Sequence, residues 1–409
     1  MLINKTYFID SCNDVELNIK RESKLEYRIT YDDSKEMKAI VFILDGYGAN
    51  VDLSVIDFTR QFIAQKFDVV AVSVLYHCFS CRINEKDKKY SATFSYDEQN
   101  LNHLRDSLKK INIDTNALNL ENINNYIANV DSMIDTYKAK NILNENYKFY
   151  FTSTMLPANN EYQNYGIMAA IDVINALKHL MHNFEDMKGG GKISNLPKIY
   201  GGRSYGGYLA LLIAKIAPWY IDGVIDNSGE AMLLLRYIIG KDFNAPDMYY
   251  NLKNYQVGIF LKTHWTADKS SLYCFKDENF LIRTLLNKDH LILQAQKNKN
   301  IIYVSYHSSA DVLTSYEYKT QLMNFIQTLG YDVTFHLIEE KDIDGRYIKN
   351  LNHGCGISVK ALFNKELPKM LEKLKDKTFS MKEDSISYPC KNKVFTFKDK
   401  DDKFVLEII

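Results

Sequence analysis

The chain has 409 residues, 46% of them hydrophobic and 25% charged, enough for one large decorated domain or for two ordinary ones. Lys+Arg and Asp+Glu both number 51, so no excess charge draws the molecule to nucleic acid or to anionic lipid, and a small molecule or a local patch on something larger is the expected partner. The opening residues place charge inside any apolar core and lack a small-residue cleavage site, and no stretch of about 18 apolar residues runs free of charge. A soluble, cytoplasmic protein is expected.

Two alternating segments come first, Val15 to Ile19 and Leu25 to Tyr31, which read as half-buried antiparallel strands. Ala39 to Leu44 and Val69 to Leu75 are continuous apolar runs, the pattern of strands buried on both faces of a parallel sheet, with a crossover helix from Asp57 to Lys66 between them. Residues 81–164 turn polar. Ile123, Ile127, Val130 and Ile134 form one apolar stripe at helical spacing, so this stretch reads as a helical insertion. A helix from about Gly166 to Met187 and a Gly189-Gly190-Gly191 hinge follow.

The parallel pattern then resumes: strand Leu196 to Tyr200, helix Tyr205 to Ala217, strand Ile221 to Ile225. Residues 229–297 form a second insertion, a candidate lid or cap. After it come strand Ile301 to Tyr306, helix Ser315 to Leu329, strand Val333 to Ile338 and helix Ser358 to Leu374. Residues 385–409 read as a C-terminal β-hairpin extension, its strands separated by Lys398 to Lys403. The expected class is therefore α/β, a single domain with a mostly parallel, doubly wound sheet, antiparallel strands at the N-terminus and two insertions.

Six cysteines in a chain of this size do not make a disulfide scaffold. Cys78 and Cys81 form a C-x-x-C pair, but zinc needs two further ligands at matching spacing and no second pair exists. They read as buried, reduced thiols. Neither a metal nor an organic cofactor is expected.

Gly202-Arg203-Ser204-Tyr205-Gly206 is a G-x-S-x-G pentapeptide lying between a predicted strand and a predicted helix. A nucleophile elbow turns so sharply there that only glycine tolerates the crowding two residues to either side of the serine. Ser204 is the expected nucleophile. In such sites the acid and the histidine follow the serine in chain order. Of the nine histidines, His353, in the glycine-flanked loop Asn352-His353-Gly354, comes after the last core strand and is the expected general base. Asp311, just past the strand Ile301 to Tyr306, is the preferred acid. Asp226, at the end of another strand, is its rival, and Asp342 and Asp344 read as loop charges. His307 is expected to shape the turn of the acid, and His336 to be structural.

An oxyanion hole needs two backbone amides. Tyr205 supplies one as the first residue of its helix, and Tyr47 the other, from the loop Asp45-Gly46-Tyr47-Gly48-Ala49-Asn50. Gly46, Arg203 and Tyr76 are the candidate substrate contacts around that loop and the serine.

These residues resemble the α/β-hydrolase superfamily, particularly its prolyl-oligopeptidase-like and carbohydrate-esterase-like branches, over roughly Lys38 to Asp376. In those branches the acid loop usually reads His-Gly-x-x-Asp; here Ser308 stands at the glycine. More narrowly, the whole chain resembles a family without a settled function found among campylobacters, encoded near flagellin-glycosylation genes. That resemblance implies trimming or editing of acyl groups on nonulosonic-acid sugars, their precursors or a glycosylated flagellin.

The expected reaction is hydrolysis of a carboxylic ester, with a short acyl group on a carbohydrate, through an acyl-enzyme. A prolyl-oligopeptidase-like peptidase or acyl-peptide hydrolase is the first rival and an acyltransferase the second. The third is a non-catalytic binding module on the same scaffold.

Overall fold

The computed structural model describes residues 1–47, 53–184, 192–379 and 382–409, so the predicted triple-glycine hinge lies outside the described residues. In chain order the first strands and helices are β1 (Leu2–Ile9), β2 (Leu25–Asp32), β3 (Ile40–Leu44), α1 (Leu53–Phe67), β4 (Val70–Leu75), β5 (Thr93–Ser95), α2 (Glu98–Lys109), α3 (Ile123–Ala139) and β6 (Phe149–Leu156). Then come α4 (Ile167–Asn183), β7 (Lys198–Arg203), α5 (Tyr205–Ile216), β8 (Gly223–Asn227), α6 (Arg236–Ile239), β9 (Met248–Asn251), β10 (Tyr255–Leu261), α7 (Asp277–Arg283) and α8 (Lys288–Lys297). The chain ends with β11 (Ile302–Ser308), α9 (Tyr316–Thr328), β12 (Asp332–Ile338), α10 (Val359–Leu374), β13 (Ser385–Cys390), β14 (Lys393–Lys400) and β15 (Lys403–Ile408).

Two compact units result. The larger comprises Met1–Phe79, Asn164–Leu233 and Phe275–Ile409. Its main sheet has the order β1-β2-β4-β3-β7-β8-β11-β12. β2 is antiparallel to both neighbours, and every other pairing is parallel. β3, wholly apolar, and β4, apolar but for Ser73, are buried along their whole length, as strands covered on both faces must be. On one face α10 buries Leu362, Phe363, Leu367 and Met370 against Ile199, Ile225 and Ile302. Every residue of α5 is buried, which explains its apolar run; the one cation in it, Lys215, donates to Ile282 O and Thr284 O at 2.6 and 2.8 Å. This is the α/β-hydrolase fold. From β3 the chain moves outward to β4, whereas β7, on the other side of β3, leads the opposite way to β8. The carboxyl ends of β3 and β7 therefore flank a topological switch point, where open α/β sheets bind ligands.

Four expectations are corrected. Val15 to Ile19 is a turn rather than a strand: Asp14 and Ile19 exchange backbone hydrogen bonds of 2.9 and 3.0 Å across it, and the outer strand is β1. Burial there does not follow the alternation of residue types: Val15 is 46% exposed, while Glu16 turns inward, its side chain 1% exposed, to meet Arg283 in a buried bidentate ion pair. The segment 81–164 is not purely helical, since β5 and β6 join β10 and β9 in a four-stranded sheet. Residues 275–297, read as part of the second insertion, belong to the larger unit. Finally, the C-terminal extension is a three-stranded antiparallel sheet, not a hairpin. Ile386, Tyr388 and Cys390 alternate inward along its extra strand, and Pro389 is tolerated because that strand lies at an edge.

The smaller unit comprises Ser80–Gln163 and Leu234–Cys274. Its sheet runs β5-β6-β10-β9, with β6 and β10 parallel and the outer pairs antiparallel. The six cysteines form no disulfide, and Cys78 and Cys81 are both buried. Among the described residues no helix is long and apolar enough to cross a membrane, and no group of three or more His, Cys, Asp or Glu side chains is placed to hold a metal ion.

Candidate active site

Ser204 sits between β7 and α5 with φ 57° and ψ −124°, a left-handed geometry that costs a non-glycine residue about 1–3 kcal/mol. The glycines on either side have a common cause. A β-carbon on Gly202 or on Gly206 would lie 2.1 Å from the carbonyl oxygen of Leu44, at the end of β3. Gly207 is constrained likewise, since its β-carbon would lie 2.1 Å from Asp226 Oδ1. The amide of Ser204 donates to Asn227 O at 2.7 Å, which pins the elbow to β8.

His353 reaches the serine from the loop before α10. Its Nε2 accepts from Ser204 Oγ at 2.7 Å, and its Nδ1–H donates to Asp311 Oδ2 at 2.7 Å. The loop is fixed at Gly354, directly after the histidine. Asn227 Nδ2 donates to Gly354 O at 3.0 Å, and Gly354 N donates to Ser228 Oγ at 3.1 Å. Gly354 has φ +80°, and a β-carbon there would lie 2.8 Å from Arg203 Cδ.

Asp311 is buried, which by itself raises a carboxyl pKa. The hydrogen bond and charge of His353, with the amides of Leu313 and Thr314 at 2.9 and 3.2 Å, outweigh burial and hold it below the ordinary carboxylate value. Thr314 Oγ1 also donates to Asp311 Oδ2, at 3.0 Å. Ser308, at the position of the usual glycine, donates to Leu351 O at 2.6 Å and accepts from Ala310 N at 3.1 Å. The departure thus ties the acid loop to the histidine loop. His307, pushed down to about 4 by burial, is neutral and donates to Thr314 O at 3.1 Å. His336 stacks on Tyr306 at 4.3 Å.

Asp226, the rival acid, has other partners. Lys319 Nζ approaches its Oδ2 at 2.6 Å, Ser305 Oγ donates to the same oxygen at 2.6 Å, and Gly229 N donates to Oδ1 at 2.8 Å. Both side chains of the ion pair are fully buried. The pair links β8 and β11 to α9, the helix that follows the Asp311 loop. Asp342 and Asp344 instead organise exposed turns through backbone amides.

Tyr205 is the first residue of α5, so its amide is among the helix's orphan donors. Across from it a β-carbon on Gly46 would stand 3.1 Å from Arg203 O and 3.6 Å from Ser204 Cβ, so glycine lets this loop lie against the elbow. The ring of Tyr47 meets that of Tyr205 edge-on at 6.0 Å. Gly48, Ala49 and Asn50 lie outside the described residues. Tyr76 donates to Asp45 O at 2.8 Å and is 3% exposed, which makes it a support for this loop rather than a surface for substrate. Arg203 is exposed beside Ser204. Burial raises Asp45 to about 7 against the pull of Arg203.

Sequence reasoning missed the polar and aromatic layer behind the elbow. Tyr165, at φ 58°, packs on Tyr205 at 5.1 Å and hydrogen-bonds Glu230. Arg283 holds the Tyr165 backbone through a 2.9 Å bond to its carbonyl, while Glu16 neutralises the guanidinium. Glu230 follows β8 in the run Ser228-Gly229-Glu230; an acid directly after a buried strand's end was the one available signal. It is 5% exposed, and burial raises its pKa to about 8, with Tyr165 and Lys319 opposing. The folded protein therefore holds a proton here that the unfolded chain has released, so stability falls as pH rises from the ordinary carboxyl range toward 8. Urea denaturation across that range is expected to show Glu230→Gln losing about 1 kcal/mol less per pH unit than wild type. Parallel stability profiles for the two proteins would contradict the assignment.

Residues 5–408 match the family described as "Protein of unknown function (DUF2920)", and the chain belongs to that family. No curated protein matches it. Among solved structures it is similar to Pyrococcus horikoshii acylaminoacyl peptidase, with 12% identity and a TM-score of 0.45 over 94% of this chain and 43% of that one. It is also similar to an esterase from Rhizomucor miehei (12%, TM-score 0.44, 92% and 84% covered) and to a ferulic acid esterase (8%, TM-score 0.43, 91% and 98% covered). The chain thus spans less than half the length of the peptidase.

Proposed function

We propose that this member of the DUF2920 family is a serine hydrolase that cleaves a carboxylic ester through an acyl-enzyme. The observation that carries the reading is the row Ser204 Oγ, His353 Nε2 and Nδ1, Asp311 Oδ2, joined at 2.7 and 2.7 Å at the switch point of the sheet. In the proposed cycle Ser204 attacks the ester carbonyl while His353 takes its proton. Asp311 keeps the proton of the ring on Nδ1 and stabilises the imidazolium. The amides of Tyr205 and Tyr47 receive the oxyanion. His353 then gives its proton to the leaving alcohol, and water repeats the sequence to release the acid.

The finer reading is a short acyl group, acetyl above all, on a sugar of the nonulosonic-acid or flagellin-glycan type. It rests on the sequence resemblance. Arg203 supports it, because an exposed guanidinium next to the nucleophile suits the carboxylate of an acidic sugar. The test compares p-nitrophenyl acetate, an aminoacyl p-nitroanilide and O-acetylated N-acetylneuraminic acid. Turnover of both esters with no cleavage of the anilide is expected, and Arg203→Gln should raise KM about tenfold for the acidic sugar alone. Cleavage of the anilide in preference to the esters would make the protein a peptidase. Equal KM values for the sugar in both proteins would remove Arg203 from its recognition.

A further inference from the structure

We propose that the smaller unit carries a binding site of its own, a cleft that takes the ring of a neutral sugar. Residues along a strand alternate between faces, and the two faces of the β5-β6-β10-β9 sheet are used differently. One carries Thr152, which α2 covers through Asn100 and His103, both at 2.8 Å from its Oγ1. The other carries Phe151, Ser153, Val257 and Ile259, and α3 lies along this face with Ile127 and Asp131 toward it. A cleft of about 630 Å³ remains, within the range of small-molecule sites.

Its chemistry is mixed in a particular way. Phe94, Tyr96, Phe151, Tyr250 and Tyr255 supply aromatic surface, and two of them stand well out into water, Phe94 at 40% and Tyr250 at 37% exposure. Tyr255 is braced from below by Phe149 and Phe151, each with its ring centre 5.4 Å away. Asn124, Asp131, Ser153 and Asn251 place amide, carboxylate and hydroxyl groups among these rings. Ser153 Oγ donates to Ser95 O at 3.1 Å, Asp131 Oδ1 accepts from Asn254 Nδ2 at 2.9 Å and Asn251 Oδ1 accepts from Gln256 Nε2 at 2.9 Å. Each keeps capacity for a further partner, which a purely apolar ligand leaves unused, while a purely polar one leaves the rings wet. A pyranose satisfies both, because its C–H faces lie on aromatic rings while its equatorial hydroxyls donate and accept at the edges.

Charge narrows the class. Among the described residues that line the cleft none is Lys, Arg or His, and Asp131 is an acid; Arg82, outside the lining, donates to the Tyr250 hydroxyl at 3.2 Å, so a carboxylated or phosphorylated sugar meets an acid within the cleft and a cation only behind the Tyr250 rim. The proposed ligand is a neutral glycan unit. The site is independent of the hydrolase reading, since all its residues belong to the smaller unit and the serine to the larger.

The test is calorimetry and saturation-transfer NMR on the full chain carrying Ser204→Ala, with maltotriose and triacetylchitotriose as probes. At least one is expected to bind saturably with a Kd of about 1 mM or tighter. The rim substitutions Tyr250→Ala and Asn251→Ala, at exposed positions where folding is not at stake, should each weaken it about tenfold. Arg203→Gln should leave it unchanged. Absence of saturable binding by either probe up to about 20 mM overturns the proposal. Binding that survives both rim substitutions, or that is lost with Arg203→Gln, also overturns it by placing the sugar elsewhere.

Discussion

Ser204→Ala is expected to lower kcat for p-nitrophenyl acetate by about 10⁴- to 10⁶-fold while leaving the circular dichroism spectrum unchanged. The hydroxyl is the only atom removed, and its partner is His353 Nε2. The left-handed backbone at Ser204 is held by Asn227 O and by the close approach of Gly202 and Gly206 to Leu44, none of which the substitution touches. His353→Ala should approach the same loss, because a serine hydroxyl without its base is a poor nucleophile and the members act as a unit. A Ser204→Ala protein with more than about a tenth of wild-type turnover would place the chemistry at another residue.

The second large effect concerns stability. Lys319→Met is expected to destabilise the protein by about 3–5 kcal/mol, since it leaves the carboxylate of Asp226 fully buried without its counter-ion. Ser305 and Gly229 still donate to that carboxylate, but neither carries charge. Replacing both partners, as Lys319→Met with Asp226→Asn, should recover more than half of the loss, because an amide needs no ion. Urea denaturation of the single and double variants forms the cycle. A cost below about 1 kcal/mol for Lys319→Met would mean that the pair does not tie β8 to α9. The same pair explains why Asp226 is unavailable to His353, although it ends a strand as the acid of such a row should.

What was legible in the sequence follows from which interactions are local. β3 and β4 are short, nearly wholly apolar runs whose burial on both faces is written in composition alone, while β7 and β8 were legible from the apolar pairs Ile199-Tyr200 and Val224-Ile225 within otherwise polar or glycine-rich segments. The glycines around Ser204 are legible for the same reason, since a steric demand two residues away leaves a fixed spacing. His353 and Asp311 needed only chain order and the ends of strands. The smaller unit was hidden because its sheet pairs β6 with β10, Phe149 against Tyr255, across more than a hundred residues, and only β10 has a local antiparallel partner, β9. Its segments read as two insertions because the chain leaves and re-enters the larger unit between them.

The layer of Glu16, Tyr165, Glu230 and Arg283 was invisible for a different reason. Each is a polar or aromatic side chain buried by a partner distant in sequence, and such residues look like surface until the partner is known. Glu16 shows the consequence most plainly: as a charged residue between apolar ones it reads as the outward position of an alternating strand, whereas it turns inward to Arg283. Arg283 in turn holds the carbonyls of Asn164 and Tyr165, so a residue far along the chain sets the backbone on which the ring beside Tyr205 is mounted.

The central claim is that Ser204 is a nucleophile activated by His353. Incubation with diisopropyl fluorophosphate followed by peptide mass spectrometry tests it without knowledge of the substrate, because the reagent phosphorylates an activated serine at the expense of fluoride. One adduct per chain is expected, on Ser204, and none in His353→Ala. Modification of a different residue, or an unmodified Ser204 in protein that remains folded, would contradict it.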